Sequence, residues 1–143
     1  MILMLMKHRS TVINYLEPRF YNDNVGIAFL YCSYKERDIQ TAQALIGSLV
    51  QQLVQRYPDI PSDLKVLYEA HTKNRRAPTP PTLTECLRLL KSQLAGCPSI
   101  FFVIDALDEC EDQTRSELCA QLQNLPESPH LLITSRDILE LKD

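Results

Sequence analysis

Three acids and one short polar-basic run are the residues whose type and spacing could do chemistry. Asp105, Asp108 and Glu109 follow directly on the unbroken apolar run Ile100-Phe101-Phe102-Val103-Ile104, and Thr134-Ser135-Arg136 closes a second apolar run, Leu131-Leu132-Ile133. Carboxylates released together form a dense acidic site suited to a hard cation such as Mg²⁺, which takes oxygen ligands and keeps several waters. Acids for a metal, a carboxylate for a water and a cation for a phosphate are the parts that phosphoryl-transfer sites share. A structural use of the same residues stays open beside that one. Asp105 caps the next turn, Asp108 and Glu109 cap the following helix, where acids in the first turn are favoured, and Arg136 pairs with them.

The elements that must position these residues follow from pattern. Apolar runs without polar alternation read as strands buried on both faces. Three such strands are expected, at about 25–32 (Val25 to Cys32), 100–105 and 131–134. Between them lie helical patterns. Met1 to Met6 opens a helical stretch from about Ile2 to Leu16, with Leu5, Val12, Ile13 and Leu16 inward, ended by Pro18. Thr41 to Arg56 carries Leu45, Ile46, Leu49, Val50, Leu53 and Val54 at three-four spacing, one apolar stripe. A shorter helix is expected over 62–72, with Leu64, Leu67 and Tyr68 inward. Thr82-Leu83-Thr84-Glu85 has the form of a capping box before a helix bearing Leu83, Cys86, Leu87, Leu90 and Leu94, with Gly96 at the place of a left-handed cap. A last helix spans about 113–123, with Leu118 and Leu122 inward. Strands alternating with helices argue for an α/β fold with a mostly parallel sheet and helices on both faces. Ligands bind such sheets at the carboxyl edge, where Asp105, Asp108 and Glu109 would meet Arg136.

Composition narrows the function classes. The 143 residues make one domain, 1–143, and are 45% hydrophobic and 23% charged, as in ordinary globular proteins. A net charge of −3 with no Lys/Arg-rich run gives no footprint for nucleic acid. The apolar start is shorter than the roughly 20 residues of a membrane span and lacks the order of a signal peptide, so no membrane is expected and the location reads as intracellular, that is cytoplasmic. Five cysteines without C-x-x-C spacing read as buried free thiols in a reducing compartment. Lys35 to Asp38 reads as a solvated charged loop without chemistry, and 73–81, with Arg75-Arg76 and three prolines, as an exposed loop. The three glycines, Gly26, Gly47 and Gly96, leave no phosphate-cradling G-x-x-x-x-G-K-[ST] and no G-x-G-x-x-G.

The wording of the motifs adds a resemblance. Phe101 to Cys110, F-F-V-I-D-A-L-D-E-C, resembles the Walker B segment of NACHT-type NTPases of the signal-transduction (STAND) class. Its D-A-L-D-E-C form is similar to that of fungal NLR-like and ankyrin-repeat proteins with a nephrocystin-3-like N-terminal domain. Leu131 to Arg136 resembles the sensor 1 strand, Val25 to Tyr34 the second strand, and Ser10 to Leu16 the helix after the phosphate loop. The resemblance implies a partial P-loop NTPase three-layer fold with strand order 5-1-4-3-2 and a site for Mg²⁺ with ATP or GTP. It places Asp105 on the metal, Asp108 and Glu109 near the attacking water, and Thr134, Ser135 and Arg136 at the nucleotide, with Arg136 sensing the γ-phosphate.

Where the family has a first strand and a Gly-rich Walker A loop, only Met1 to Arg9 stand here. The expectation is a truncated domain whose 131–134 strand is an open edge, and open edges invite association. Such a chain is a fragment of a nucleotide-controlled signalling switch that neither binds ATP tightly nor hydrolyses it. The alternative is a non-catalytic interaction module, meeting protein partners or itself through the exposed sheet edge.

Overall fold

The computed structural model describes residues 2–4, 25–56, 66, 81–96, 99–126 and 129–136. The described residues form, in chain order, strands β1 (Ile2–Met4) and β2 (Val25–Tyr31), helices α1 (Ala42–Arg56) and α2 (Leu83–Gly96), strand β3 (Ser99–Asp105), helix α3 (Asp112–Gln123) and strand β4 (His130–Thr134). Single 3-10 turns follow β2 (Tyr34–Glu36) and β3 (Leu107–Glu109). The strands form one sheet, every neighbouring pair parallel, in the order β1-β4-β3-β2.

The period-two geometry of a strand sends Ala28 and Leu30 of β2, Phe102 and Ile104 of β3, and Leu131 and Ile133 of β4 to one face. There they join Leu45, Ile46, Leu49, Leu53, Leu90, Leu94, Leu118 and Leu122 from the helices in a single core. The steps from β2 to β3 and from β3 to β4 run the same way across the sheet, so right-handed crossovers bring α1, α2 and α3 to that one face. On the opposite face Val103 is buried against half-buried Phe29, Tyr31 and Leu132. Gly26 matters for close approach, since a Cβ there would stand 3.1 Å from Ile100 Cγ1 and 3.2 Å from Leu53 Cδ2.

As the edge strand, β2 would offer unpaired peptide groups to other chains, but two glutamines from the same chain cover them. Gln52 of α1 accepts the Phe29 N–H at 2.9 Å and donates to the Phe29 carbonyl at 2.7 Å. Gln40 donates to the Tyr31 carbonyl at 2.8 Å and accepts the Ser33 N–H at 2.9 Å. Alternate residues of an edge strand turn their peptide groups outward, and these side chains take them in turn.

The expected strands, the 41–56 and 113–123 helices and their inward leucines stand where the sequence put them. Thr82 caps α2 through its Oγ1, which accepts the Glu85 N–H at 3.2 Å. Three expectations change. Ile2 to Met4 is a strand, not helix, and pairs with Leu132 to Thr134. It takes the place of the first strand, so β4 is not an open edge and the sheet has four strands rather than three. Gly96 is the last residue of α2 and has no positive φ; α2 runs through it without a left-handed cap. The stretch around residues 34–39 is not merely a solvated loop, as the site below makes plain. The expected helices over 5–16 and 62–72, apart from an exposed helical Val66, and the loop at 73–80 lie outside the described residues. No described helix is long and apolar enough to cross a membrane.

Candidate functional site at the carboxyl edge of the sheet

β3 delivers Asp105 to the carboxyl edge and β4 delivers Thr134 beside it, as the register Ile104 to Ile133 requires. Asp105 is 8% exposed and Thr134 4%. The Thr134 hydroxyl donates to Asp105 Oδ1 and accepts the Ala106 N–H at 3.1 Å. One hydroxyl therefore bridges a carboxylate and the next peptide, and locks the ends of β3 and β4 together. Ala106 takes φ 58°, ψ 45°, a left-handed conformation that costs a residue with a Cβ roughly 1–2 kcal/mol. It turns the chain out of β3 into the 3-10 turn.

That turn separates the remaining acids. Successive residues of a 3-10 turn point about 120° apart, so Asp108 and Glu109 leave it toward different strands. Asp108 reaches the end of β4, where Oδ2 accepts Arg136 Nε at 2.6 Å and Oδ1 accepts the Arg136 N–H at 3.2 Å. Ser135 Oγ lies 3.5 Å from the same Oδ1 and 2.8 Å from the Arg136 carbonyl oxygen. The Asp108 side chain is 8% exposed, its Arg136 partner 85%. Burial pushes the Asp108 carboxyl up, but the Arg136 side-chain and backbone hydrogen bonds and its charge outweigh that and hold it below the ordinary range. Arg136, correspondingly, is held above its own.

Glu109 turns the other way, to the end of β2. Its Oε2 accepts the Tyr34 N–H at 3.3 Å, and its carbonyl accepts Arg37 Nε at 3.1 Å. The Arg37 guanidinium also stacks on the Tyr34 ring, 4.4 Å from its centroid. Arg37 escaped the sequence reading because its partner is 72 residues away and Lys35 to Asp38 looks uniformly polar. Arg115 escaped it too, being 5% exposed inside α3. The i, i+3 spacing to Asp112, which it meets at 2.7 Å, is the signal that could have found it.

The structure therefore brings Asp105 and Thr134 together, and Asp108 with Ser135 and Arg136, while Glu109 stands apart from both groups. The expected dense acidic site is corrected accordingly: among the described residues no three His, Cys, Asp or Glu side chains converge to hold a metal ion. Asp105 stands at this buried edge with the Thr134 hydroxyl on its Oδ1. It does not fit a free-standing metal centre.

An all-parallel sheet in the order β1-β4-β3-β2, with helices packed on it and polar groups gathered at the ends of its two central strands, defines an α/β domain of the P-loop-like class. Within that class the match is specific: the family described as nephrocystin 3, N-terminal, matches residues 8–136, and the chain belongs to it. No curated protein and no solved structure matches the chain.

Proposed function

We propose that this chain provides the Walker B and sensor 1 part of a NACHT-like, nucleotide-dependent signalling switch and does not hydrolyse ATP or GTP by itself. The observation that carries the reading is the Asp105–Thr134–Ala106 bridge, which joins the ends of the two strands that would face a nucleotide. Asp105 is the residue for the metal, Thr134, Ser135 and Arg136 are those for the nucleotide, and Asp108 and Glu109 shape the turn between them. The 143 residues hold no G-x-x-x-x-G-K-[ST], and without glycines the backbone N–H groups that cradle phosphates cannot come close enough. Arg136 already has a carboxylate partner, so a phosphate must compete with Asp108 for it. The test is phosphate release by the purified chain with Mg²⁺ and ATP or GTP. No release above the buffer blank is expected, and steady turnover overturns the reading.

Association through the sheet is the second reading. Among the described residues it is left with the outer edge of β1, because β1 covers β4 and the two glutamines cover β2. An edge of three residues is the short kind that blunts strand pairing.

A further inference from the structure

We propose that the outer edge of β2 is a self-association surface for a second copy of this chain, which Gln40 and Gln52 hold closed. β2 pairs with β3 on one side only, so alternate peptide groups point away from the sheet. The Cys32 N–H faces inward, to the Asp105 carbonyl at 3.0 Å. The groups of Phe29, Tyr31 and Ser33 that the glutamines take face outward.

Each of the two side-chain amides reproduces a strand residue. In an antiparallel ladder one residue both donates to and accepts from the residue opposite it. Gln52 does so with Phe29, accepting its N–H at 2.9 Å and donating to its carbonyl at 2.7 Å. In a parallel ladder a residue donates to the carbonyl before the residue it faces and accepts the N–H after it. Gln40 does so about Cys32, donating to the Tyr31 carbonyl at 2.8 Å and accepting the Ser33 N–H at 2.9 Å. Second contacts hold both amides in place: Gln52 Nε2 lies 3.2 Å from Ser48 Oγ, and Gln40 Nε2 lies 3.4 Å from Glu36 Oε2. The two amides fill positions that the backbone of an added strand would take.

The strand behind them is one that would pair. Val25–Tyr31 is seven residues long and reads V-G-I-A-F-L-Y. With no charge and no proline, it lacks the residues by which edge strands usually discourage pairing. The exchange between Gln52 and Phe29 also points to the occupant. Two copies of β2 related by a twofold axis run antiparallel. With the axis at Phe29, each Phe29 makes with its counterpart the two hydrogen bonds that Gln52 makes with it here. Such a pairing is isologous and closes as a dimer.

The experiment compares the wild-type chain with the double variant Gln40→Ala/Gln52→Ala by sedimentation velocity over a range of concentrations, and follows amide hydrogen exchange by NMR. In the wild type the Phe29 and Ser33 amides are expected to exchange as slowly as those of the β2–β3 ladder. In the double variant the sedimenting mass doubles relative to the wild type as concentration rises. The Phe29 amide then exchanges rapidly in dilute solution and slowly again in the dimer. Gln40→Ala/Gln52→Lys removes the same hydrogen bonds but sets a charge on the edge, and its mass stays that of the wild type. Should the double variant not fold by circular dichroism, Gln52→Ala alone, which uncovers Phe29, goes through the same measurements with the same outcomes expected. Rapid exchange at Phe29 in the wild type overturns the proposal. So does a folded alanine variant with wild-type mass throughout, a dimer whose Phe29 amide stays unprotected, assemblies larger than a dimer, or equal association of the Gln52→Lys variant. No outcome involves a nucleotide, so the proposal stands or falls apart from the reading of the carboxyl edge.

Discussion

Replacing Thr134 by Val isolates the bridge between β3 and β4, because Val keeps the shape and the β-branch and removes only the hydroxyl. The site is buried, with Thr134 4% and Asp105 8% exposed, so water does not readily replace what is lost. Two interactions disappear: a hydrogen bond donated to the Asp105 carboxylate and one accepted from the Ala106 N–H. A hydrogen bond to a charged group contributes about 2 kcal/mol and a neutral one about 1, so Thr134→Val is expected to cost about 3 kcal/mol. At roughly 4 °C per kcal/mol for a domain of this size, the melting temperature falls by about 12 °C. Thr134→Ser keeps the hydroxyl and gives up one methyl group, which costs about 1 kcal/mol. Urea unfolding followed by circular dichroism, with thermal melts alongside, measures both variants. If Thr134→Val lies within about 0.5 kcal/mol of the wild type, or if the Ser and Val variants are equally destabilised, the hydroxyl bridge is not what joins the strand ends.

Two further predictions concern the same turn. Ala106→Gly removes the left-handed strain at φ 58° but adds freedom to the unfolded chain; the first effect exceeds the second, and a gain of about 0.5 kcal/mol in urea unfolding is expected. Asp108→Asn tests the ion pair through its pH dependence. The folded carboxyl lies below its ordinary value of 3.8, so its contribution is complete above that value and is lost as pH falls through the lower folded one. The stability gap between wild type and Asp108→Asn is therefore constant from pH 7 to 5 and closes as the solution is acidified below the ordinary carboxylate range. With Arg136 largely exposed solvent screening keeps the gap small, and urea midpoints measured across the acid range check it.

The sheet could be read from the sequence where its strands are rich in β-branched and aromatic residues. Val25 to Tyr31, Ile100 to Asp105 and His130 to Thr134 are such runs, and all three pair as parallel neighbours. Ile2-Leu3-Met4 could not be read in the same way. Leucine and methionine are good helix formers, and a short apolar run has no period that separates buried strand from buried helix; what makes it a strand is its pairing with β4, a partner about 130 residues further along. The candidate site divides along similar lines. That Asp105 and Arg136 reach one edge follows from two strand ends. How the three acids divide their partners depends on the 3-10 turn and the left-handed Ala106, which no spacing rule encodes. The structural alternative, in which Arg136 pairs with the acids, describes Asp108 correctly. It does not describe Glu109, which faces the 34–37 segment.

Nucleotide affinity tests the functional account most directly. In isothermal titration calorimetry of the purified chain with ATP and excess Mg²⁺, the account predicts no saturable heat at micromolar concentrations. The ends of β3 and β4 supply an acid and a cation, but this sequence has no glycine loop to hold the phosphates between them. A saturable isotherm with a micromolar Kd, abolished by Asp105→Asn, would contradict it.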